Sequence, residues 1–410
     1  MVMSSKAGLL WRIVGVVFAL VQAVVSVMLI ISLIRMNILE AWIVALVTGL
    51  LVVVAGLCLI PVFIKKPIIV TRIICMIVSV ACIAGGVFAL RYMQAFNSFL
   101  DKVSLVVSDD DEAFDPNIDI ISDPYIIYIS GSDSRSGIDD PTARSDVNIL
   151  VVMNPRQEKM LLVSIPRDTY LQLHGTTGYF DKLTHAGYNN NIALSKATLE
   201  DFLEVDIHYT IRVSFDTVVE VVDELDGIDI YSDNEMRLGA ESKTTPGKYC
   251  YYCVGVQHVD GDCALRFARE RKSYARGDKH RGENQQEVLT AIINKLTSSR
   301  DYLLRVPEIL EIAGDSFETS FTRDDITKFL RYQLNNGINW QIESIGLDGA
   351  GDILPTYTYG EDTPLWVMIP DEDSYQTIVN KINDYLEVDV NSRVENNDVE
   401  ELIEENYNDN

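Results

Sequence analysis

Three apolar segments near the N-terminus constrain the fold of this 410-residue chain more than any other feature of its sequence. Residues 13–34, 41–64 and 73–90 contain no charged side chain. A helix of about 20 apolar residues crosses the hydrocarbon core of a bilayer, so each segment is long enough to span it. Buried helices of soluble proteins carry a polar stripe, which these segments lack. We therefore predict a three-helix transmembrane anchor within residues 1–92.

Basic side chains around these segments predict their orientation, because cytoplasmic loops of membrane proteins are enriched in lysine and arginine. The loop between the first and second segments holds only Arg35, beside Glu40. Bases precede the first segment and separate the second from the third, at Lys6, Arg12, Lys65, Lys66 and Arg72. We expect a cytoplasmic N-terminus, an anchor in contact with membrane lipid, and everything after Leu90 outside the cytoplasmic membrane.

The remainder of the chain is acidic, and the formal net charge of the whole chain is −26. Nucleic-acid binding needs a basic surface, so we expect no nucleic-acid partner. We predict a connector at residues 93–122, an extracytoplasmic catalytic domain at residues 123–388, and an acidic tail at residues 389–410. The tail has too little apolar content to fold.

Strand and helix patterns alternate through residues 123–388, which predicts a three-layer α-β-α domain. Pro124–Ser130, Asn148–Met153 and Met160–Ile165 are apolar runs of strand length, typical of interior strands. Ser214 is a good N-cap for a helix at Phe215–Leu225. Further helices are predicted at Ile192–Leu203, Asp262–Glu270, Glu283–Ser298, Tyr302–Ile312, Arg323–Leu334 and Ser374–Leu386, and shorter strands at Ile207–Val213, Ile228–Ile230 and Trp340–Ile345.

Three cysteines fall in the domain predicted to lie outside the cell, where disulfides form. They are Cys250, Cys253 and Cys263. We predict one disulfide, which joins Cys263 to either Cys250 or Cys253. A bridge between Cys250 and Cys253 is disfavoured because so short a loop is strained.

The positions of the arginines indicate what kind of ligand the domain binds. Residues 266–286 contain seven basic and three acidic side chains, a net charge of +4 on an acidic chain. Arg135 follows the first predicted strand, Arg144 precedes the second and Arg167 follows the third. Ligands of open α/β sheets bind at strand ends, and arginine binds phosphate oxygens in a bidentate manner. We predict an anionic ligand with more than one phosphate; the alternative is a set of surface ion pairs.

Asp133 and Asp146 flank the same region of the predicted sheet. Isolated loop aspartates are usually turn residues. Beside arginines they are also suited to Mg²⁺, which takes one or two carboxylates together with phosphate oxygens of a substrate. Both interpretations stay open at this point.

Five segments, in order, resemble the signatures of LytR-CpsA-Psr proteins. They are residues 131–135 (GSDSR), 144–146 (RSD), 164–168 (SIPRD), 181–188 (DKLTHAGY) and the arginine block 268–286, in which ARER is followed by GDKHRGENQQ. The resemblance covers about residues 124–298 and follows the predicted membrane spans.

The resemblance implies a transferase of a Gram-positive-type envelope. Such enzymes move a glycopolymer, teichoic acid or another anionic polysaccharide such as capsule, from a polyprenyl-pyrophosphate carrier to peptidoglycan. Asp133 and Asp146 would bind Mg²⁺, with Mn²⁺ as the alternative. The implied catalytic residues are Arg167, Arg269 and Arg271, and the implied substrate-binding residues are Arg135, Arg144, Lys182, Asp278, Arg281 and Gln285.

Two features of the arginine block are specific to this chain. His280 and Asn284 stand where many family members have Gly and Arg, so we expect either that one phosphate contact is lost or that Arg276 or Lys279 replaces it. Residues two apart on a helix do not share a face. We therefore expect the helix to end near Glu270, so that both Arg269 and Arg271 reach the ligand. A non-catalytic carrier-binding regulator and a carrier pyrophosphatase are the alternative functions.

Overall fold

A computed structural model gives the structure of the chain. It describes residues 5–36, 41–63, 69–103, 118–132, 144–187, 192–239, 249–274, 277–299, 301–303, 305–306, 309 and 317–388. Residues 104–117 of the predicted connector, most of the predicted helix at Tyr302–Ile312, and the predicted tail at residues 389–410 therefore lie outside the described residues.

Each of the three N-terminal apolar segments lies in a long helix. The helices are α1 (Ser5–Met36), α2 (Ala41–Phe63) and α3 (Ile69–Val103). Large apolar side chains on them are exposed, including Leu20, Trp42 and Phe88. Among the residues described, no helix combines the length and the apolarity that a membrane span requires. The three spans therefore stay a prediction.

The strands of the α/β domain are, in chain order, β1 (Tyr125–Ser132), β2 (Ser145–Asn154), β3 (Lys159–Ser164), β4 (Tyr170–Gln172), β5 (Phe180–Lys182), β6 (Tyr209–Ser214), β7 (Ile228–Ser232), β8 (Met236–Gly239), β9 (Tyr249–Tyr252), β10 (Gly255–Val259), β11 (Phe317–Thr319), β12 (Gln341–Gly346), β13 (Gly349–Thr356) and β14 (Gly360–Pro370). Its helices are α4 (Leu183–Ala186), α5 (Ile192–Leu203), α6 (Phe215–Glu224), α7 (Gly261–Ala268), α8 (Gly277–Ser298), α9 (Arg323–Asn336) and α10 (Glu372–Tyr385), and Pro155–Gln157 forms a 3-10 turn.

Six strands form the central sheet in the order β11-β6-β1-β2-β3-β12. Strand β2 runs antiparallel to both β1 and β3, whereas β1 is parallel to β6 and β3 is parallel to β12. The ends of β1 and β3 and the beginning of β2 therefore meet at one edge. Gly131 pairs there with Val147, and the Ile165 amide donates to the Asn148 carbonyl.

Helices cover both faces of this sheet. On one face, Tyr128, Leu150 and Val163 belong to a buried core that includes Leu199 of α5 and Ile378 of α10. On the other face, α8 lies against β3. A Cβ added at Gly282 of α8 would lie 2.7 Å from Ser164 Oγ, so only glycine permits this approach. The Gln286 side chain donates to the carbonyls of Leu162 and Ile345. The predicted α-β-α layering is present.

Local sequence signals explain several helix ends. Ser214 accepts a hydrogen bond from the Thr217 amide at the start of α6, as its N-cap position predicts. Thr322 and Asp325 form a reciprocal capping box at the start of α9. Helix α8 begins at Gly277, six residues before the predicted start at Glu283. Its first turns are polar, so apolar periodicity does not reveal them.

A second buried core packs α6, α7 and α8 against β7 to β10. It includes Val222, Phe267 and Val288. The predicted disulfide is confirmed, and its partner is decided: Cys250 of β9 is bonded to Cys263 of α7, with Cα atoms 5.5 Å apart. Cys253 is exposed and unbridged. The bridge ties α7 to the β8-β9 hairpin, and α7 is the helix that leads into Arg269.

Candidate active site

The end of β3 places Arg167 at the sheet edge. After Ser164 the chain turns, with the Thr169 amide donating to the Pro166 carbonyl over 3.0 Å. The Thr184 amide of α4 donates to the Arg167 carbonyl over 2.9 Å. These two backbone hydrogen bonds hold the turn that contains Arg167.

Alternating charges orient the Arg167 guanidinium. Its Nη1 lies 2.5 Å from Asp146 Oδ1, and its Nε lies 3.5 Å from Asp168 Oδ2. The second oxygen of Asp168 accepts a hydrogen bond of 2.7 Å from Lys182 Nζ. Lys182, which the resemblance places in the substrate site, thus acts on it through Asp168. Charge-assisted bonds of this kind fix a side chain in one orientation.

Arg269 and Arg271 follow directly after the C-terminal end of helix α7. Asp260 caps its N-terminus by accepting from the Cys263 amide, and the helix ends at Ala268. Arg269 is its C-cap, and Arg271 follows outside the helix. This confirms the expectation that the helix ends near Glu270. The buried Glu270 carboxylate accepts from the Ser273 amide and hydroxyl, which stabilises the turn after the helix.

Four of the predicted arginines, Arg167, Arg269, Arg271 and Arg281, line one cavity of about 340 Å³. Six of its lining side chains are basic and two are acidic, so the cavity attracts an anion that carries several negative charges. The guanidinium carbon of Arg269 also lies 4.9 Å from the centre of the Phe215 ring. The lining residues are Asp146, Arg167, Phe215, Arg266, Arg269, Glu270, Arg271, Lys272, Arg281 and Gln285.

Helix α8 contributes Arg281 and Gln285 to the same cavity. These residues are four apart and therefore lie on one face of the helix. A smaller adjoining cavity of about 20 Å³ shares Asp146, Arg167, Arg281 and Gln285 and is also lined by Lys279. The Lys279 ammonium is 2.7 Å from Asp348 Oδ2.

Four cavity residues were not predicted from the sequence as site residues: Phe215, Arg266, Glu270 and Lys272. The charge of the arginine block contained a signal for two of them. Arg266 and Arg269 are three apart, so one helix face presents both. Phe215 carried no signal, because its place as the first residue of α6 suggests packing rather than contact with a ligand.

The two residues that depart from the family pattern have structural roles. Asn284 is buried, and its side-chain amide donates to the Phe267 carbonyl over 3.1 Å. The His280 ring stacks on Tyr274 at 3.8 Å and lies 3.1 Å from Asp233 Oδ2. Neither residue lines the arginine cavity. Arg276, the other suggested replacement besides Lys279, lies outside the described residues.

The remaining predicted site residues are not among the described residues that line the cavity. Asp133 and Arg135 lie outside the described residues, and the structure describes the backbone of Asp278 in α8 but not its side chain. Arg144 is exposed, and its Nη2 donates to the Tyr359 hydroxyl over 3.4 Å. Among the described residues, no group of three or more His, Cys, Asp and Glu side chains is arranged to hold a metal.

A buried carboxylate beside the site was not predicted. Asp181 accepts from His185 Nδ1 at 2.5 Å and from the Lys182 amide at 2.7 Å. Its other oxygen accepts from the amide and hydroxyl of Thr358, at 2.8 and 2.6 Å. Burial raises the pKa of Asp181, but the hydrogen bonds from His185 and Thr358 lower it more, so the net pKa lies below its ordinary value.

Comparison with known proteins gives a consistent result. Residues 93–365 match the model of the LytR_cpsA_psr family. The chain is 30% identical over 317 residues to the polyisoprenyl-teichoic acid--peptidoglycan teichoic acid transferase TagU of Bacillus mycoides, with 76% of this chain and 96% of the relative covered.

Solved structures are also similar to this chain. TagV of B. subtilis superposes with a TM-score of 0.53 at 25% identity, covering 65% of this chain and 99% of TagV. The structure of TagT bound to LI-WTA superposes with a TM-score of 0.52 at 25% identity, covering 70% of this chain and all of TagT.

Proposed function

Because the chain belongs to the LytR-CpsA-Psr family, we propose that it transfers a teichoic acid or another anionic glycopolymer from a polyprenyl-pyrophosphate carrier to peptidoglycan. The observation that carries this proposal is the cavity at the sheet edge, with six basic side chains from three separate chain segments. TagU is named for this transfer. A pyrophosphate that bears a lipid and a glycan is a ligand with the charge that the cavity requires.

The reaction exchanges one phosphorus–oxygen bond for another. A hydroxyl of peptidoglycan attacks the phosphorus next to the glycan, and the bond between that phosphorus and the bridging oxygen breaks. Polyprenyl phosphate leaves with the bridging oxygen, and the hydroxyl proton is lost. The product is a phosphodiester between glycan and peptidoglycan.

The chain's own contribution is positioning and electrostatic stabilisation, which dominate phosphoryl transfer. Arg167, Arg269 and Arg271 face the phosphates as the catalytic side chains, and Arg281 and Gln285 bind beside them. Negative charge grows on the leaving phosphate in the transition state, so fixed guanidinium groups stabilise it more than the ground state. Asp168 is held between Arg167 and Lys182, which favours a role in orienting Arg167 rather than in removing the hydroxyl proton.

A Mg²⁺ ion fits the donor set of the cavity. Asp146 supplies a carboxylate among the arginines, and Mg²⁺ usually takes one or two carboxylates, with phosphate oxygens and water for the rest. We assign Asp146 as one ligand and Asp133 as the second, with Mn²⁺ as an alternative ion. A bound divalent ion would neutralise charge on the pyrophosphate.

Chelation should therefore stop the transfer. We expect EDTA to abolish the reaction and excess Mg²⁺ to restore it. The Asp146→Ala variant should need a higher Mg²⁺ concentration for half-maximal rate, because one ligand is lost. Rate measured against Mg²⁺ concentration tests this. Full activity in EDTA would contradict the assignment of a divalent ion.

The N-terminal helices fit an anchor in the cytoplasmic membrane. Their exposed apolar side chains and the positions of the flanking bases favour three spans, a cytoplasmic N-terminus and an external α/β domain. The Cys250–Cys263 disulfide also fits an oxidising compartment. Protease added to intact protoplasts should digest the α/β domain; protection of the domain would contradict this topology.

The products distinguish this function from its alternatives. The full-length chain in detergent is incubated with a lipid-pyrophosphate-linked glycan, Mg²⁺ and peptidoglycan oligomers, and the products are analysed by mass spectrometry. A glycan–phosphate–peptidoglycan conjugate is expected. Free phosphorylated glycan without conjugate would indicate a pyrophosphatase. Unchanged substrate, with the carrier bound, would indicate a regulator.

A further inference from the structure

Four exposed aromatic side chains flank the contact between β5 and the turn that joins β13 to β14, and we call this group the aromatic shelf: Tyr179, Phe180, Tyr357 and Tyr359. Between 41% and 56% of each is exposed to solvent. The rings of Tyr179 and Tyr357 are 5.2 Å apart, and the Tyr357 amide donates to the Phe180 carbonyl over 3.0 Å. The shelf thus joins β5 and the turn between β13 and β14 in one patch. Grouped exposed aromatic rings are a feature of binding surfaces.

The shelf is held in place from beneath by the buried Asp181 carboxylate. Thr358, between the two shelf tyrosines of the turn, donates to Asp181 through both its amide and its hydroxyl. His185 donates to the same carboxylate, and its ring centre lies 5.5 Å from that of Tyr359. Asp181 directly follows Phe180. A surface fixed by buried hydrogen bonds binds a partner at a smaller entropic cost than a mobile loop does.

Two side-chain contacts link the shelf to residues next to the catalytic cavity. The Tyr359 hydroxyl accepts from Arg144, which is two residues from the cavity residue Asp146. On the other side, Lys182 follows Asp181 and binds Asp168, the neighbour of Arg167. We therefore expect a chain bound on the shelf to reach the cavity that binds the phosphates.

The charge of the β13-β14 hairpin indicates which kind of partner the shelf binds. Residues 349–370 contain three acidic side chains, Asp352, Glu361 and Asp362, and no basic one. Such a hairpin repels both an anionic polymer and an anionic membrane surface. Aromatic rings with hydroxyl edges suit sugar rings, which combine apolar C–H faces with hydroxyl groups. The glycan strand of peptidoglycan meets these requirements better than the polyanionic donor does.

We propose that the aromatic shelf binds the glycan strand of the peptidoglycan acceptor and directs one of its hydroxyls to the arginine cavity. The shelf proposal rests on the proposed function only in naming the reaction, because binding to the glycan strand can be measured without any transfer. The shelf is thereby an acceptor site, separate from the arginines that bind the donor.

Binding to insoluble sacculi tests the shelf directly. Full-length chain in detergent is sedimented with sacculi stripped of teichoic acid, for wild type and for Tyr179→Ala and Tyr357→Ala. Each variant should bind about three- to tenfold more weakly, the effect of losing one aromatic contact. Tyr251→Ala is the matched control, since Tyr251 on β9 is 65% exposed and outside the shelf. It should bind as wild type does.

Kinetics provide a second readout. In the transfer assay, the shelf variants should raise the acceptor KM by a similar factor and leave kcat at saturating acceptor unchanged. Tyr357→Trp, which keeps an aromatic face, should restore most of the binding, whereas Tyr357→Leu should not. Equal melting temperatures of variants and wild type exclude unfolding as the cause.

The outcomes separate the two proposals. Sacculus binding of both alanine variants equal to that of wild type would overturn the shelf, even if wild type transfers glycan. Normal sacculus binding with a transfer defect only when the carrier is in a lipid bilayer would also overturn it, in favour of membrane contact. Wild-type sacculus binding that depends on the shelf, without any transfer, would support the shelf and contradict the transferase.

Discussion

Replacing Arg269 with alanine is expected to lower the glycan transfer rate about 10²- to 10³-fold, the usual effect of removing one preorganised donor from a transition state. Arg269 is the C-cap of α7 and lines the same cavity as Arg167, which follows β3. Arg167→Ala should have an effect of the same size. The melting temperature should stay close to that of wild type, because repulsion among six basic groups around one cavity offsets ion pairs such as that of Arg167 with Asp146.

Two further variants make this test specific. Arg269→Lys keeps the charge but loses the planar fork, so it should remain well below wild type. Arg156→Ala is the matched control: Arg156 makes exposed ion pairs in the turn between β2 and β3, at the opposite edge of the sheet. It should transfer at the normal rate. Near-normal rates for Arg167→Ala and Arg269→Ala would contradict catalysis in this cavity, and loss of activity together with unfolding would indicate structural ion pairing.

Removing the Asp181 carboxylate should destabilise the domain. In Asp181→Ala, four hydrogen-bond donors from His185, Lys182 and Thr358 lose their acceptor in a buried place. Breaking a buried charged interaction by removing one partner costs about 3–5 kcal/mol. For a domain of this size, that corresponds to a fall in melting temperature of roughly 10 °C. Differential scanning calorimetry measures it.

An exposed Asp–His pair is the control for this variant. His174 Nδ1 lies 2.7 Å from Asp201 Oδ2, and both side chains are more than half exposed. Because exposed ion pairs contribute about 0–1 kcal/mol, Asp201→Ala should leave the melting temperature almost unchanged. Equal effects of the two variants would contradict the role of the buried network.

The pH dependence follows from the lowered pKa of Asp181. A carboxyl whose folded pKa lies below its unfolded value stabilises the fold above the unfolded pKa, about 3.9. That contribution is lost as pH falls through the lower folded pKa. Wild type should therefore lose stability more steeply than Asp181→Ala in strong acid, while the difference between them stays constant near neutral pH.

Much of the arginine site could be predicted from the sequence, because its residues lie at the ends of individual strands and helices. Arg167 follows the end of β3 and Asp146 lies at the start of β2, and antiparallel pairing of β2 with β1 and β3 brings these positions together. The spacing of Arg269 and Arg271 predicted a helix end near Glu270, and the helix ends at Ala268 with Arg269 as its C-cap. Each of these inferences used the period of an element or the residue at its end.

What sequence did not predict depends on contacts between distant segments. Thr358 bonds to Asp181 across 177 positions, and no local pattern signals such a pair. The β13-β14 hairpin was missed because its residues include Pro355 and Pro364, which usually argue against a strand. The exposed aromatic rings beside β5 become a surface only when that hairpin lies against it. The start of α8 was missed because its first residues are polar and show no apolar periodicity. They make tertiary contacts instead, such as that of Lys279 with Asp348.

The most direct test of the transferase is the identity of the lipid that remains after one turnover. Full-length chain, Mg²⁺, a polyprenyl-pyrophosphate-linked glycan and peptidoglycan oligomers are mixed, and lipid and conjugate are both quantified by mass spectrometry. Attack on the phosphorus next to the glycan predicts polyprenyl monophosphate and a phosphodiester-linked conjugate in equal amounts. Polyprenyl pyrophosphate with a conjugate that lacks phosphorus would show that a glycosidic bond is broken instead, and it would contradict phosphoryl transfer in the arginine cavity.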